Sequence, residues 1–450
     1  MRRPTIRSLA GGAAGIVAGV ATGAVITAVS AAGPAVATDP ALIDVAHVPP
    51  LLRLPGEPVR LRYSLVCTPR EDGLPCDGSG KVYVRTGEAG PFRPLTLERG
   101  VDSRDGRYYA DVPSEVVDSP DGFSYYAVLR DDATGATMTL PSGGAAAPQV
   151  SLALPAPVQV ALGGHEFGRT RAPTAHVVEA GWGSAAGEVG LAGSRELGFS
   201  GPSSFDVEPD GAVDVLDSVN RRVLRWRRHL FDDVPLDVAT GLADFAVESD
   251  GGFDVLEPSG TLRRFRGDGM PAWTQKLADR TWAKLEHGSK GPVVLADPSE
   301  QWLPAADAAG PLGRSEQARG AQNGKPLTNG HELLVDRVGE SELRLAETAG
   351  RSIVRSWRIT SATPFGEVQL AQPLGSGAVV VTKAYTDDRD EFVVLVLDRT
   401  GAVAHFSVDS DSWTETAPLA RFRLVGATLY RLRTTPAGMT IDRFDLEVPR

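Results

Sequence analysis

A turn glycine followed by an apolar run recurs along the C-terminal part of the chain. It is read at Gly211 to Asp217 (GAVDVLD), Gly251 to Glu257 (GGFDVLE) and Gly291 to Asp297 (GPVVLAD), 40 residues apart at both steps. A fourth copy, Gly330 to Asp336 (GHELLVD), comes one residue short of that period, and looser copies begin at Gly377 and Gly426. A fixed period of this length is the mark of one supersecondary unit used repeatedly. A unit so small cannot bury both of its faces, so neighbouring copies must supply the core.

The first two copies are each preceded by a β-run, Phe205 to Val207 and Phe245 to Val247, again 40 residues apart. Asp210-Gly211 and Asp250-Gly251 join the runs, and both residue types accept the positive φ of a tight hairpin. Third strands follow at Arg222 to Trp226 and Leu262 to Phe265. Four short strands per unit of about forty residues is the blade of a β-propeller, and six copies reach the C-terminus over residues 158–450. The last copy offers only three strands, Ala420 to Val425, Thr428 to Leu432 and Met439 to Val448. An unpaired edge invites association, so the spare β-run Ala175 to Trp182 is expected as the outer strand of the last blade, antiparallel to Met439 to Val448. The expected fold is therefore all-β, a β-sandwich domain followed by a six-bladed β-propeller closed by an N-terminal outer strand.

Within the first copy, Gly201, Pro202, Phe205, Asp210-Gly211, Asp217, Asn220, Arg222 and Trp226, with Trp182-Gly183 upstream, resemble the NHL repeat and its Asp-x-x-Asn-x-Arg turn. Later copies lack clear counterparts of Asn220 and Arg222. The resemblance implies a propeller with a ligand-binding face, and it names no ligand. Some NHL-like propellers are metal-dependent lyases with histidine ligands at the axis, which is the alternative reading of function.

Upstream, Val59 to Cys67, Lys81 to Arg85, Arg107 to Val112 and Phe123 to Arg130 read as short strands separated by turn clusters. Residues 38–142 are thus expected to form a β-sandwich. The run Phe123 to Asp131 resembles the penultimate strand of bacterial fibronectin-III-like and immunoglobulin-like modules. Residues 143–157, rich in Ala, Gly and Pro, read as a linker. Residues 1–37 read as a signal peptide or signal anchor: Arg2, Arg3 and Arg7 precede an uncharged run from Leu9 to Ala32, and Ala35-Val36-Ala37 fits a cleavage site. Export would make Cys67 and Cys76 one disulfide across a turn-rich loop.

With 46 Lys and Arg against 57 Asp and Glu, the formal charge is -11, and no basic stripe offsets it, which excludes nucleic acid as the expected partner. A membrane partner is expected only if the leader is retained. The chain has no G-x-S-x-G elbow and no H-E-x-x-H, and its seven histidines are scattered. Asp217, Glu257, Asp297 and Asp336 share one repeat position and would stand on one rim of a ring. Together with Asn220 and Arg221 they are the candidate binding residues. They would either recruit Ca²⁺, another divalent metal or a basic ligand, or accept backbone N–H groups in their own turns. Ser407 to Trp413 departs from a sialidase Asp-box and reads as a turn, as does the acidic tip Asp387 to Glu391. No catalytic residue and no cofactor is expected. The reading is an exported noncatalytic binding or scaffold protein whose partner is an extracytoplasmic protein, peptide or glycan.

Overall fold

The computed structural model describes residues 44–449 apart from 67–76, 101–105, 197, 228–229, 240, 278–280, 289–290, 298–300, 306–321, 402 and 415–418. The leader, Cys67 and Cys76 lie outside the described residues. What is described is nearly all β, with only short helical turns at Ser114–Val117 and Gly144–Ala146. No helix among the described residues is long and apolar enough to cross a membrane.

Two sheets form the N-terminal region. One runs Asp44–Ala46, Arg60–Val66, Arg107–Asp111, Glu98–Arg99 in spatial order; the other runs Leu52–Arg53, Gln149–Ala153, Phe123–Asp131, Gly78–Thr86, Arg93–Thr96, with Thr137–Leu140 also on Phe123–Asp131. Their alternating strands turn one face inward, so Leu61, Tyr63 and Tyr108 from the first sheet meet Val82, Phe123 and Tyr125 from the second in one core. The expected linker is replaced in part by structure. Gln149–Ala153 is a strand inserted between Phe123–Asp131 and Leu52–Arg53. Gln149, Ser151 and Leu152 are buried in it, and no clean period of two marks the run in a segment rich in Ala and Pro.

Beyond a two-stranded sheet of Ala192–Ser194 and Gly198–Ser200, six larger sheets follow in chain order. Sheet I holds Ser204–Val207, Val213–Asp217, Arg222–Arg227 and Leu230–Pro235; sheet II holds Asp244–Val247, Phe253–Leu256, Thr261–Phe265 and Pro271–Lys276. Sheet III holds Thr281–Gly288, Gly291–Asp297 and Gln301–Pro304; sheet IV holds Lys325–Pro326, Glu332–Val338, Glu342–Ala349 and Ser352–Thr360. Sheet V holds Phe365–Leu374, Gly377–Tyr385, Asp390–Leu397 and Val403–Asp409; sheet VI holds Phe422–Val425, Thr428–Thr435 and Gly438–Asp445. Each of the six repeat glycines either stands between the first and second strand of a different sheet or, at Gly291 and Gly377, opens the second strand. Gly211 and Gly251 have φ of 88° and 79°, backbone that a side chain would strain.

Sheet VI gains its fourth strand from upstream: Ala175–Gly181 pairs antiparallel with Gly438–Asp445, as the spare β-run suggested. The seam is held by Trp182, whose Nε1 donates to the Thr435 carbonyl at 2.9 Å, and by Phe199 stacked 4.6 Å from Trp413. A second addition was not foreseen. Val158–Ala161 lies parallel on Ser352–Thr360, a fifth strand on sheet IV.

The N-terminal region is fastened to sheet IV. Leu51, Leu52, Leu152 and Leu154 share a core with Leu334 and Ala346. Beside it, the buried Arg344 guanidinium holds both carboxylate oxygens of Glu57 at 2.6 Å and donates to the Leu52 carbonyl at 3.0 Å.

Candidate functional site

The first strands of the six sheets converge on a cavity of about 760 Å3. Asp206 from sheet I, Ala246 from II, Glu286 from III, Lys325 from IV, Gln372 from V and Arg423 from VI all line it. In sheets I to V the lining residue stands five positions before the repeat glycine. In sheet VI the offset is three. Glu208, Glu248 and His287 complete the charged wall, with Pro209, Leu327, Leu424 and Val425 among the less polar lining.

Arg423 organises the inner end. Its Nε donates to the Phe205 carbonyl at 3.0 Å, Nη2 to the Phe245 carbonyl at 3.4 Å and Nη1 to Glu286 Oε1 at 3.3 Å. One side chain from sheet VI thereby touches sheets I, II and III. Asp206 and Asp244 stand 3.7 and 3.8 Å from the same guanidinium. Glu286 also receives Lys325 Nζ at 3.2 Å. Burial works against the Glu286 charge, but Lys325 and Arg423 outweigh it and hold its carboxyl down to about 2.

His287 bridges two sheets, with Nε2 at 3.4 Å from Asp206 Oδ2 and Nδ1 at 3.5 Å from Glu248 Oε1. Burial alone would discharge the ring; the two carboxylates prevail and push it up to about 10. It is an imidazolium at neutral pH, with both nitrogens committed as donors. Such a ring neither ligates a metal nor accepts a proton. Among the described residues, no three His, Cys, Asp or Glu side chains stand together as a metal site.

The acids on the shared repeat position lie elsewhere. The antiparallel register sets Val207 against Val213 beside the glycine turn and Ser204 against Leu216 at the far end of the strands. Asp217 follows Leu216, so it sits at the end away from Pro209, Ser249 and Gly426, which line the cavity. Asp217, fully buried, accepts from the Gly190 amide at 3.1 Å, Asn220 Nδ2 at 2.8 Å and Arg222 Nε at 3.1 Å. Asn220 donates to the Gly183 carbonyl, and Arg222 to those of Ser184, Ala185 and Glu188. The turn that resembles the NHL signature is thus a clamp on residues 183–190. Arg221 has φ of 57°, a left-handed turn position. Glu257 accepts from the Ala239 amide at 3.0 Å, and Asp336 from the Leu52 amide at 3.0 Å. Asp297 ends its strand, and its side chain is outside the described residues. Asp217, Glu257, Asp336, Asn220 and Arg221 do not line the large cavity.

A smaller cavity of about 410 Å3 lies by sheet V, with His165, His405 and Ser407 in its wall. Glu391 holds His165 Nε2 at 2.9 Å, and Ser407 Oγ is 3.5 Å from that same nitrogen. A hydroxyl-activating relay needs the acid and the hydroxyl on different nitrogens, so this trio is a staple for residues 165–171. Gly168 N–H, which donates to Glu391 Oε1, belongs to the same staple.

No protein-family model matches the chain, and no curated protein matches it. Among solved structures it is similar to virginiamycin B lyase from Staphylococcus aureus, at 9% identity and a TM-score of 0.33, over 54% of this chain and 94% of that one. It is also similar to YCF48 bound to D1 peptide, at 9% identity and 0.33, over 55% and 78% of the two chains. A third is the Dos1 propeller, at 10% identity and 0.28, over 58% and 69%. These are β-propeller proteins, and the likeness is one of fold.

Proposed function

We propose that the chain is an exported, noncatalytic binding protein: an immunoglobulin- or fibronectin-III-like sandwich joined to a six-bladed propeller that receives its ligand in the axial cavity. The strand order of sheets I to VI, one lining residue from each, and the upstream strand on sheet VI support the ring. Residues 1–37 direct export as a leader that is cleaved or kept as an anchor, and Cys67 and Cys76 are bonded in that compartment. The ligand is a peptide or glycan of an extracytoplasmic partner. The observation that carries the reading is the cavity itself: its charged groups are held in mutual ion pairs, an arrangement that orients a ligand and leaves no base beside a nucleophile.

Gln372 makes none of those ion pairs, so Gln372→Trp fills the cavity and spares them. Binding of the purified mature protein to peptide and glycan arrays should be lost in this variant at unchanged Tm. Retained binding would move the site off the axis. Stoichiometric metal in the native protein would favour an axial lyase or hydrolase instead. Intact mass with thiol alkylation reports the leader and the Cys67–Cys76 bond together; an unprocessed soluble chain with two free thiols overturns the exported reading.

A further inference from the structure

Sheets I and II carry the same trio of charged residues behind the cavity wall, and the other four sheets do not repeat it. In sheet I, Glu208 ends the first strand, Asp214 lies in the second, and Arg225 opposes it in the third with Nε 2.5 Å from Asp214 Oδ1 and 3.6 Å from Glu208 Oε1. In sheet II, Glu248, Asp254 and Arg264 hold the equivalent places, with Arg264 Nη1 2.8 Å from Asp254 Oδ2 and 3.5 Å from Glu248 Oε1. At the next step of the repeat these places hold Gly288 and Val294. Asp214 and Asp254 are both wholly buried. In each, the carboxylate oxygen not taken by arginine has no hydrogen-bond donor: Asp214 Oδ2 and Asp254 Oδ1.

A buried carboxylate oxygen facing another carboxylate is costly unless a proton lies between them. We propose that Asp214 and Asp254, each sharing its arginine with a neighbouring glutamate, hold a proton in the folded protein, and that release of these protons puts negative charge behind the acidic wall of the cavity. The other charged groups around them are identified. Asp214 is faced by Arg225, Glu208 and, across the first strand, Asp206. Arg227 neutralises Glu208 from the third strand at 2.9 Å. Asp254 is faced by Glu248 and Arg264; Asp250 in the turn shares Arg264, and His287 of sheet III shares Glu248. Arg225 of sheet I also crosses to sheet II, with its guanidinium 4.8 Å from the Phe253 ring centre and Nη2 on the Gly251 carbonyl. The second cation of each group, Arg227 or His287, serves the glutamate, so the aspartic oxygen without a donor is the one that keeps a proton. Burial, the largest cause, and the neighbouring acid raise both aspartic acids well above the ordinary carboxyl range.

The protonated aspartic acids are a property of the unliganded protein, and only their effect on binding rests on the axial-site reading. The test therefore uses no ligand. Infrared spectra of the mature protein near neutral pH should contain a protonated-carboxyl band that Asp214→Asn/Asp254→Asn removes, since each carboxamide donates permanently to its glutamate. Tm of the native protein should fall between about pH 4 and about pH 7, and the double variant should lose most of that fall. Absence of the band in the native protein overturns the proposal even if the variant does not fold. So do superimposable melting profiles of two folded proteins. A titrating band in a protein whose binding ignores Gln372→Trp keeps the protonated aspartic acids and dismisses the axial ligand.

Discussion

Sheets I and IV carry the same acid at the same repeat position and use it for the same task, yet the partners come from opposite directions along the chain. Asp217 takes the amide of Gly190, in the segment that leads into sheet I itself. Asp336 takes the amide of Leu52, from the N-terminal region. Between them, Glu257 of sheet II takes Ala239, again from the segment just upstream. Equivalence within the repeat therefore fixes the role, a carboxylate that receives the N–H of an arriving strand or loop, and leaves the donor open. In sheet IV the N-terminal region has taken the donor's place, and Arg344, Glu57 and the Leu52 side chain make the junction part of the core.

The largest test of that difference is removal of the donor. Treated as a separate domain, residues 38–156 are dispensable, and a chain lacking them stays soluble. The contacts argue the reverse. Deletion strips Leu334 and Ala346 of Leu51, Leu52, Leu152 and Leu154, takes the Leu52 donor from Asp336, and leaves Arg344 with Glu342 in place of Glu57 and the Leu52 carbonyl. Losing four leucine contacts costs on the order of 5 kcal/mol or more, a large share of a domain's whole stability. The truncated chain should aggregate or melt far below the parent in calorimetry, with sheet IV exchanging amide hydrogens first and sheet I last. A truncated chain melting like the parent would make the junction incidental.

The same contrast explains what was legible beforehand. The turn glycines, the apolar second strands and the strand on sheet VI are local or edge-driven features, and each copy repeats them, so period and turn chemistry expose them. The cavity wall is the opposite case. Its six lining positions hold Asp206, Ala246, Glu286, Lys325, Gln372 and Arg423, and a search for what copies share passes over what they vary. A fixed offset from the glycine picks out five of the six. Arg423 and His287 take their meaning from sheets that the chain reaches far away in sequence, and no spacing announces those contacts. The shared acids drew notice because they are alike, and they are alike because they all serve the frame.

A middle-sized effect is expected in sheet I. Asp217→Ala removes acceptors from the Gly190 amide, the Asn220 side chain and Arg222 in a fully buried turn. Arg222 keeps Asp233 and three carbonyls, so the site loses its centre without stranding a bare cation. A loss of about 2–3 kcal/mol is expected in denaturant unfolding, with the cavity unaltered in ligand binding. A stable variant that loses binding would return Asp217 to the functional site.

The smallest effect belongs to Asp336, and it separates role from charge. Burial, partly offset by the Leu52 amide and Arg344, raises its carboxyl to about 6. The folded protein thus holds this proton more tightly than the unfolded chain does. Between about pH 4 and about pH 6 the folded state binds more protons, so this group's contribution to stability is complete in acid, declines as pH rises through that window, and is constant above it. Asp336→Asn keeps an oxygen to accept the Leu52 amide and removes the titration. Near neutral pH its stability should lie within about 1 kcal/mol of the parent, and the difference between the two melting profiles should slope only inside the acid window. Asp217→Asn is the companion measurement, because its carboxylate faces the Arg222 guanidinium directly and should be missed at neutral pH far more than Asp336 is. Equal losses at the two positions would mean that sheet IV relies on the charge of its acid as sheet I does, and that Leu52 supplies more than a hydrogen-bond donor.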